Sequence, residues 1–139
     1  MSATATPRRP VHPRRPARPN RLVRVLGLEA LTLAVFATLH LSGALRVGPG
    51  SGPSYGAGVA EGLICLALAG GALALVRSPA RGRRIALSAL GFAIFGFLVG
   101  LSFTLDSGDT IDLVYHLVML PVLVVTAVLV ARWDAHPAL

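Results

Sequence analysis

Residues 25–45 read VLGLEALTLAVFATLHLSGAL, an apolar run of 21 residues held between Arg24 and Arg46. As a helix rising about 1.5 Å per residue it would be about 31 Å long, which matches a hydrocarbon core about 30 Å thick. The run is longer than the apolar centre of a signal peptide, and no clear A-x-A site follows it, so we read it as a retained span. Three more runs of the same kind follow, at 55–76, 85–105 and 113–131. The expected fold class is therefore an all-α membrane protein with four transmembrane helices.

Composition points the same way. Of 139 residues, 54 % are hydrophobic and 14 % charged, against roughly 25 % charged in soluble domains. Mean hydropathy is +0.70. Too few charges remain to cover a water-facing globule. The basic residues number 13 and all are arginine. Arginine without lysine, amid abundant Ala, Gly, Leu and Pro, suggests a GC-rich bacterial genome and places the chain in a bacterial cytoplasmic membrane. An isoelectric point near 11.5 would suggest nucleic acid in a soluble protein. Here the arginines flank apolar runs, so membrane orientation explains them and no nucleic-acid partner is expected.

The distribution of arginine sets the expected orientation. Seven precede the first span: Arg8, Arg9, Arg14, Arg15, Arg18, Arg21 and Arg24. Four lie in the segment 77–84 and one is Arg132, whereas Arg46 alone falls on the other side. Twelve against one puts both termini in the cytoplasm. The short connections make neighbouring helices antiparallel, giving an up-down-up-down bundle. Residues 1–21 form an Arg/Pro-rich cytoplasmic tail expected to be disordered. Its prolines recur every third residue from Pro7 to Pro19, the period of a polyproline II helix, so it could lie along anionic lipid headgroups. Residues 22–133 are the transmembrane domain, and 134–139 a short cytoplasmic tail.

Small residues mark expected packing seams. Gly58-xxx-Gly62 stands in the second span and Gly96-xxx-Gly100 in the third. Gly58, Glu61, Gly62, Cys65 and Ala69 share one arc of the second helix; Phe92, Gly96, Gly100 and Phe103 form a similar stripe on the third. Pro121, inside the fourth span, frees the carbonyl of Leu117 and is expected to kink the helix.

Ionisable groups inside spans are expensive and mark candidate sites. His40, Glu61 and His116 all fall roughly 6–9 Å below the outer interface. Asp112 lies one turn from His116 and can orient its imidazole. These four residues are expected to form one outer-leaflet polar cluster. Three functional readings stand beside a structural one. His40 and His116 could be paired axial ligands of a haem. His40, Glu61 and His116, with Met119, could hold a transition metal. The cluster could instead serve proton or quinone chemistry, since a histidine beside a carboxylate titrates near neutral pH. The structural reading is a hydrogen-bonded tie between helices, with Asp112 in the first turn of the fourth helix, where negative charge is favoured. Glu29 faces the bundle near the cytoplasmic end and is expected to pair with Arg83, Arg84 or Arg132. On the outer side, Arg46 is expected to pair with Asp106, Asp109 or Asp112.

The chain contains no P-loop, no GxGxxG in a βαβ context and no CxxC, and one cysteine, Cys65, cannot form an internal disulfide. No haem or metal is firmly implied. The expected function is that of a small multi-pass membrane protein, accessory or structural, without catalysis of its own. A haem-, metal- or quinone-binding redox or proton-handling protein is the alternative, and a small oligomeric transporter the third. The expected partners are the lipid bilayer and its anionic headgroups, with a membrane-protein partner or a second copy of the chain.

Overall fold

A computed structural model describes residues 20–45, 54–107 and 110–133. Among them are four helices, each long and apolar enough to cross a membrane. They are α1 (Asn20–Leu41), α2 (Tyr55–Arg77), α3 (Pro79–Ser107) and α4 (Thr110–Arg132). The tail 1–19, the turn around Arg46, Asp109 and the stub beyond Trp133 lie outside the described residues, as does the side chain of Asp106. The readings placed on those positions are untouched by the structure.

Helix ends depart from the hydropathy boundaries for identifiable reasons. α1 starts at Asn20, so Arg21 and Arg24 are helical; arginine is a good helix former and its long side chain can carry the charge to the interface. It stops at Leu41 because Gly43 takes φ 75°, a left-handed conformation natural to glycine. The turn then closes as the Leu45 amide donates to the Leu39 carbonyl (3.0 Å). The basic segment 77–84, which hydropathy leaves between two spans, is nearly all helix. Only Ser78, extended at φ −151° and ψ 93°, separates α2 from α3. Pro79 takes the first helical position of α3, where its missing N–H costs no bond. α4 is helical through Pro121, whose side chain is exposed.

Each helix packs against its neighbour in the chain, and α1 also meets α4. The apolar core repeats at helical spacing. Leu26, Ala30, Leu33 and Ala37 come from α1; Ile64, Leu68, Ala72 and Leu75 from α2. α3 supplies Ala86, Ala89, Leu90, Ala93 and Phe97, and α4 supplies Tyr115, Met119, Leu123 and Val130. Large apolar side chains also cover the outside; Leu66 and Phe103 are 70 % and 71 % exposed. A continuous outer coat of this kind has no place in water but suits lipid.

The seams of α2 with α1 and with α3 are close, and that of α1 with α4 is wide. Gly58 sets α2 against α1: a β-carbon there would stand 3.0 Å from the Ala37 carbonyl oxygen and 2.7 Å from the Leu41 side chain. Gly71 does the same against α3, where a β-carbon would stand 3.1 Å from Cα of Ala86, and a β-carbon on Gly96 would collide with the Ile64 side chain of α2. Gly62, by contrast, has open space where a β-carbon would go, and Ala69 is exposed. The seam on α2 therefore follows Gly58, Glu61, Ile64, Leu68 and Gly71 and leaves Gly62 outside it. Phe92 and Phe103 also point outward, so the core face of α3 is the alanine stripe. α1 and α4 approach least closely.

The two glycines should respond oppositely. Gly71→Leu has to push α3 away and should lower stability by about 1–3 kcal/mol. Gly62→Ala gains helix propensity without a clash and should be neutral or stabilising by up to about 1 kcal/mol. Unfolding of the detergent-solubilised chain by SDS, followed by circular dichroism, measures both.

Candidate functional site

Four helix ends converge on one group of polar side chains. His40 stands in the last turn of α1, Glu61 six residues into α2, Thr104 near the end of α3, and Asp112 and His116 in the first turns of α4. All five are buried. His40 Nδ1 and Glu61 Oε2 are 2.8 Å apart. On the opposite side of the ring, His40 Nε2 stands 3.9 Å from Asp112 Oδ1. Thr104 donates to Asp112 Oδ2 at 2.8 Å. His116 Nδ1 lies 2.9 Å from the Asp112 carbonyl oxygen and 3.4 Å from its Oδ1. A carbonyl can only accept, so this contact places the Nδ1 proton on His116.

The cluster expected from depth and from the Asp112–His116 spacing comes together: His40, Glu61, Asp112 and His116 meet. Their roles differ. One ligand atom each from His40, Glu61 and Asp112 lies within 4.8 Å of the others. His116 stands aside from that trio. Its Nε2 packs against Gly100, where an added β-carbon would collide with the ring, and the ring also lies against Phe97 with centroids 5.1 Å apart. Gly100 therefore makes room for a side chain of the neighbouring α4, as a packing position does. Met119 is buried in the apolar core. The two imidazoles flank one carboxylate instead of facing each other across a slot.

Toward the other end of the bundle, Glu29 is 3 % exposed. Its Oε1 accepts a 2.5 Å hydrogen bond from the Thr126 hydroxyl. Of the three arginines expected to pair with it, Arg83 is engaged elsewhere: it donates through Nε to the Val130 carbonyl (3.2 Å) and through Nη2 to that of Ala131. The last carbonyls of a helix lack partners within it and favour a cation, and α4 draws Arg83 for that reason. Thr126 was missed as a site residue. It is the one threonine on the buried stripe Asp112, Tyr115, His116, Met119, Leu123, Thr126 and Val130, and that position is the signal by which it could have been found.

Between these polar levels, Phe36 of α1 stacks on Tyr115 of α4, with ring centroids 3.6 Å apart and planes 4° from parallel. Three bridges thus span the wide α1–α4 seam: His40–Asp112, Phe36–Tyr115 and Glu29–Thr126.

A groove of about 630 Å³ opens beside the cluster and is lined from α2, α3 and the start of α4. Ser54 is among its lining residues. The sequence Gly52-Pro-Ser54-Tyr-Gly56 spells the G-x-S-x-G pattern of a nucleophile elbow, but that motif requires a strand leading into the helix. The segment 46–53, which leads into Ser54 and contains Gly52, lies outside the described residues, and from Tyr55 onward the chain is helical.

Chemically, the cluster can hold a proton between imidazole and carboxylate, tie helices together, or offer one nitrogen and two oxygen donors to a cation. A zinc-sized ion binds such atoms at about 2.0–2.2 Å. It would have to displace the His40–Glu61 hydrogen bond already in place.

Thr104→Val and Thr126→Val each strip a donor from a buried carboxylate. Each should cost about 1–3 kcal/mol in SDS unfolding. Asp112, which Thr104 serves, and Thr126 are about 21 Å apart along α4, so the double variant should show the sum within about 0.5 kcal/mol. No family model, curated protein or solved structure matches the chain.

Proposed function

We propose that the chain is a small multi-pass protein of a bacterial cytoplasmic membrane, its helices running up-down-up-down with both termini in the cytoplasm. Its role is accessory or structural, without catalysis of its own. The observation that carries this reading is the hydrogen-bonded cluster that joins residues of all four helices. His40 meets Glu61 and Asp112, Thr104 meets Asp112, and His116 folds back on Asp112. Groups already bonded to one another serve cohesion before they serve a ligand. The arginine asymmetry of twelve to one supports the orientation, and the tail arginines supply its contact with anionic headgroups.

A second reading draws on the trio of donor atoms from His40, Glu61 and Asp112 within 4.8 Å. In that reading the protein handles protons or electrons with a transition metal bound there. Haem ligation by His40 and His116 gains no support from imidazoles that share one carboxylate. Transport by an oligomer would be read from flux in liposomes.

The two leading readings separate in one preparation. On the structural reading, the detergent-purified protein is colourless and holds no stoichiometric metal. His40→Ala and His116→Ala then lower the unfolding midpoint without removing any ligand. A Soret band, or one metal per chain lost in His40→Ala, would favour the redox reading instead. Orientation is tested separately with an N-terminal epitope tag on intact spheroplasts. The proposal expects protease protection until the membrane is opened, and digestion from outside would overturn it.

A further inference from the structure

Among the described residues, three buried side-chain oxygens outside the Asp112 carboxylate have no hydrogen-bond partner: Glu29 Oε2, Glu61 Oε1 and Tyr115 Oη. Only Glu61 also lines the groove between α2 and α3. Its side chain is 9 % exposed, so this is a buried acceptor at the polar end of an otherwise apolar recess. The volume of about 630 Å³ lies within the usual range of small-molecule sites.

The bond on the other oxygen defines what the groove can accept. Glu61 Oε2 is 2.8 Å from His40 Nδ1. If the imidazole holds the shared proton, both oxygens of Glu61 accept. If the carboxyl holds it on Oε2 and donates to the ring, Oε1 is the carbonyl oxygen and still accepts. With one proton shared between the ring and Oε2, both states leave Oε1 an acceptor whose donor has to come from outside. The walls describe the rest of the occupant. Of five phenylalanines in the chain, four line this groove: Phe92, Phe95, Phe97 and Phe103. Phe92, Phe95 and Phe103 are also largely exposed, so aromatic faces continue from the recess to the surface that lipid would cover. Aromatic rings pack well on one another, edge to face or offset. A neutral hydroxyl costs far less to bring into such a place than an ammonium does.

We propose that the groove is a binding site for a lipid-soluble phenol, the hydroquinone class included. Its ring lies among the phenylalanines, its hydroxyl donates to Glu61 Oε1, and its tail leaves between α2 and α3 into the bilayer. The inference rests on the membrane reading above, and goes beyond a purely cohesive role for Glu61.

The test uses the full chain in lipid nanodiscs with radiolabelled para-dodecylphenol, and its methyl ether as the analogue that cannot donate. Incorporation into nanodiscs as a folded helical protein tests the membrane reading first and independently. Against empty nanodiscs, the phenol should bind saturably at about one site per chain. The ether should bind at least about tenfold more weakly, as expected for loss of a hydrogen bond to a buried carboxyl group. Ala60→Phe fills the groove from an exposed position on α2 and should abolish saturable binding while leaving the His40–Glu61 pair intact. Equal binding of phenol and ether would reduce the groove to a slot for any acyl chain and overturn the proposal. So would phenol binding undiminished in Ala60→Phe, or no saturable binding in a folded, incorporated chain. The ether comparison needs no variant, so the outcome does not depend on how Ala60→Phe folds.

Discussion

Hydrocarbon offers no donor and no acceptor, so a buried carboxylate or imidazole in a membrane bundle must find its partners in protein. That constraint organises this molecule. α1 carries Glu29 and His40, α2 carries Glu61, and α4 carries Asp112 and His116. Each helix is apolar around most of its circumference, which leaves its rotation poorly specified by hydrophobicity alone. The polar groups specify it. Once His40, Glu61 and Asp112 meet, Leu26, Leu33, Leu68 and Leu75 must face inward, and Leu28, Leu66 and Val76 must face lipid.

The seams divide the work of cohesion between two mechanisms. Where glycine and alanine let backbones approach, as at Gly58 on Ala37 and Gly71 on Ala86, dispersion across a close contact holds α2 to both its neighbours. No such approach joins α1 to α4. That gap is spanned by long side chains at three levels, two polar and one aromatic. Arg83, on the last carbonyls of α4, ties that end of the helix to α3. The ring of four helices is thus closed by chemistry at the place where packing is weakest.

Much of this was legible in the sequence, and what was not has physical causes. Arginines bounding apolar runs mark the spans because charge and hydrocarbon exclude one another. Equal depth along antiparallel helices brings His40, Glu61 and His116 to one level, and the Asp112–His116 spacing puts both on one face. Helix ends were less legible. Hydropathy does not register that Arg81, Arg83 and Arg84 are good helix formers behind a Pro79 start, or that Gly43 turns the chain. A Gly-xxx-Gly spacing marks one face without saying what that face meets: Gly100 meets the His116 ring of α4, whereas Gly62, assigned to a seam, has open space before it. The partner of Glu29 was misjudged because arginine was weighed by charge alone. The unpaired carbonyls of α4 hold Arg83, and a threonine buried in an apolar stripe supplies the donor instead. The groove has no one-dimensional signature, since it is a space left by small residues between outward-facing phenylalanines.

The account turns on His40 and Asp112 acting together across the α1–α4 seam. A double-mutant cycle of His40→Leu and Asp112→Leu, followed by SDS unfolding, measures that directly. Removing either partner strands the other in a dry interior, so the double variant should cost less than the sum of the single ones, by about 1 kcal/mol or more. Strictly additive losses would mean that the two residues are held separately, and that the polar cluster does not close the bundle.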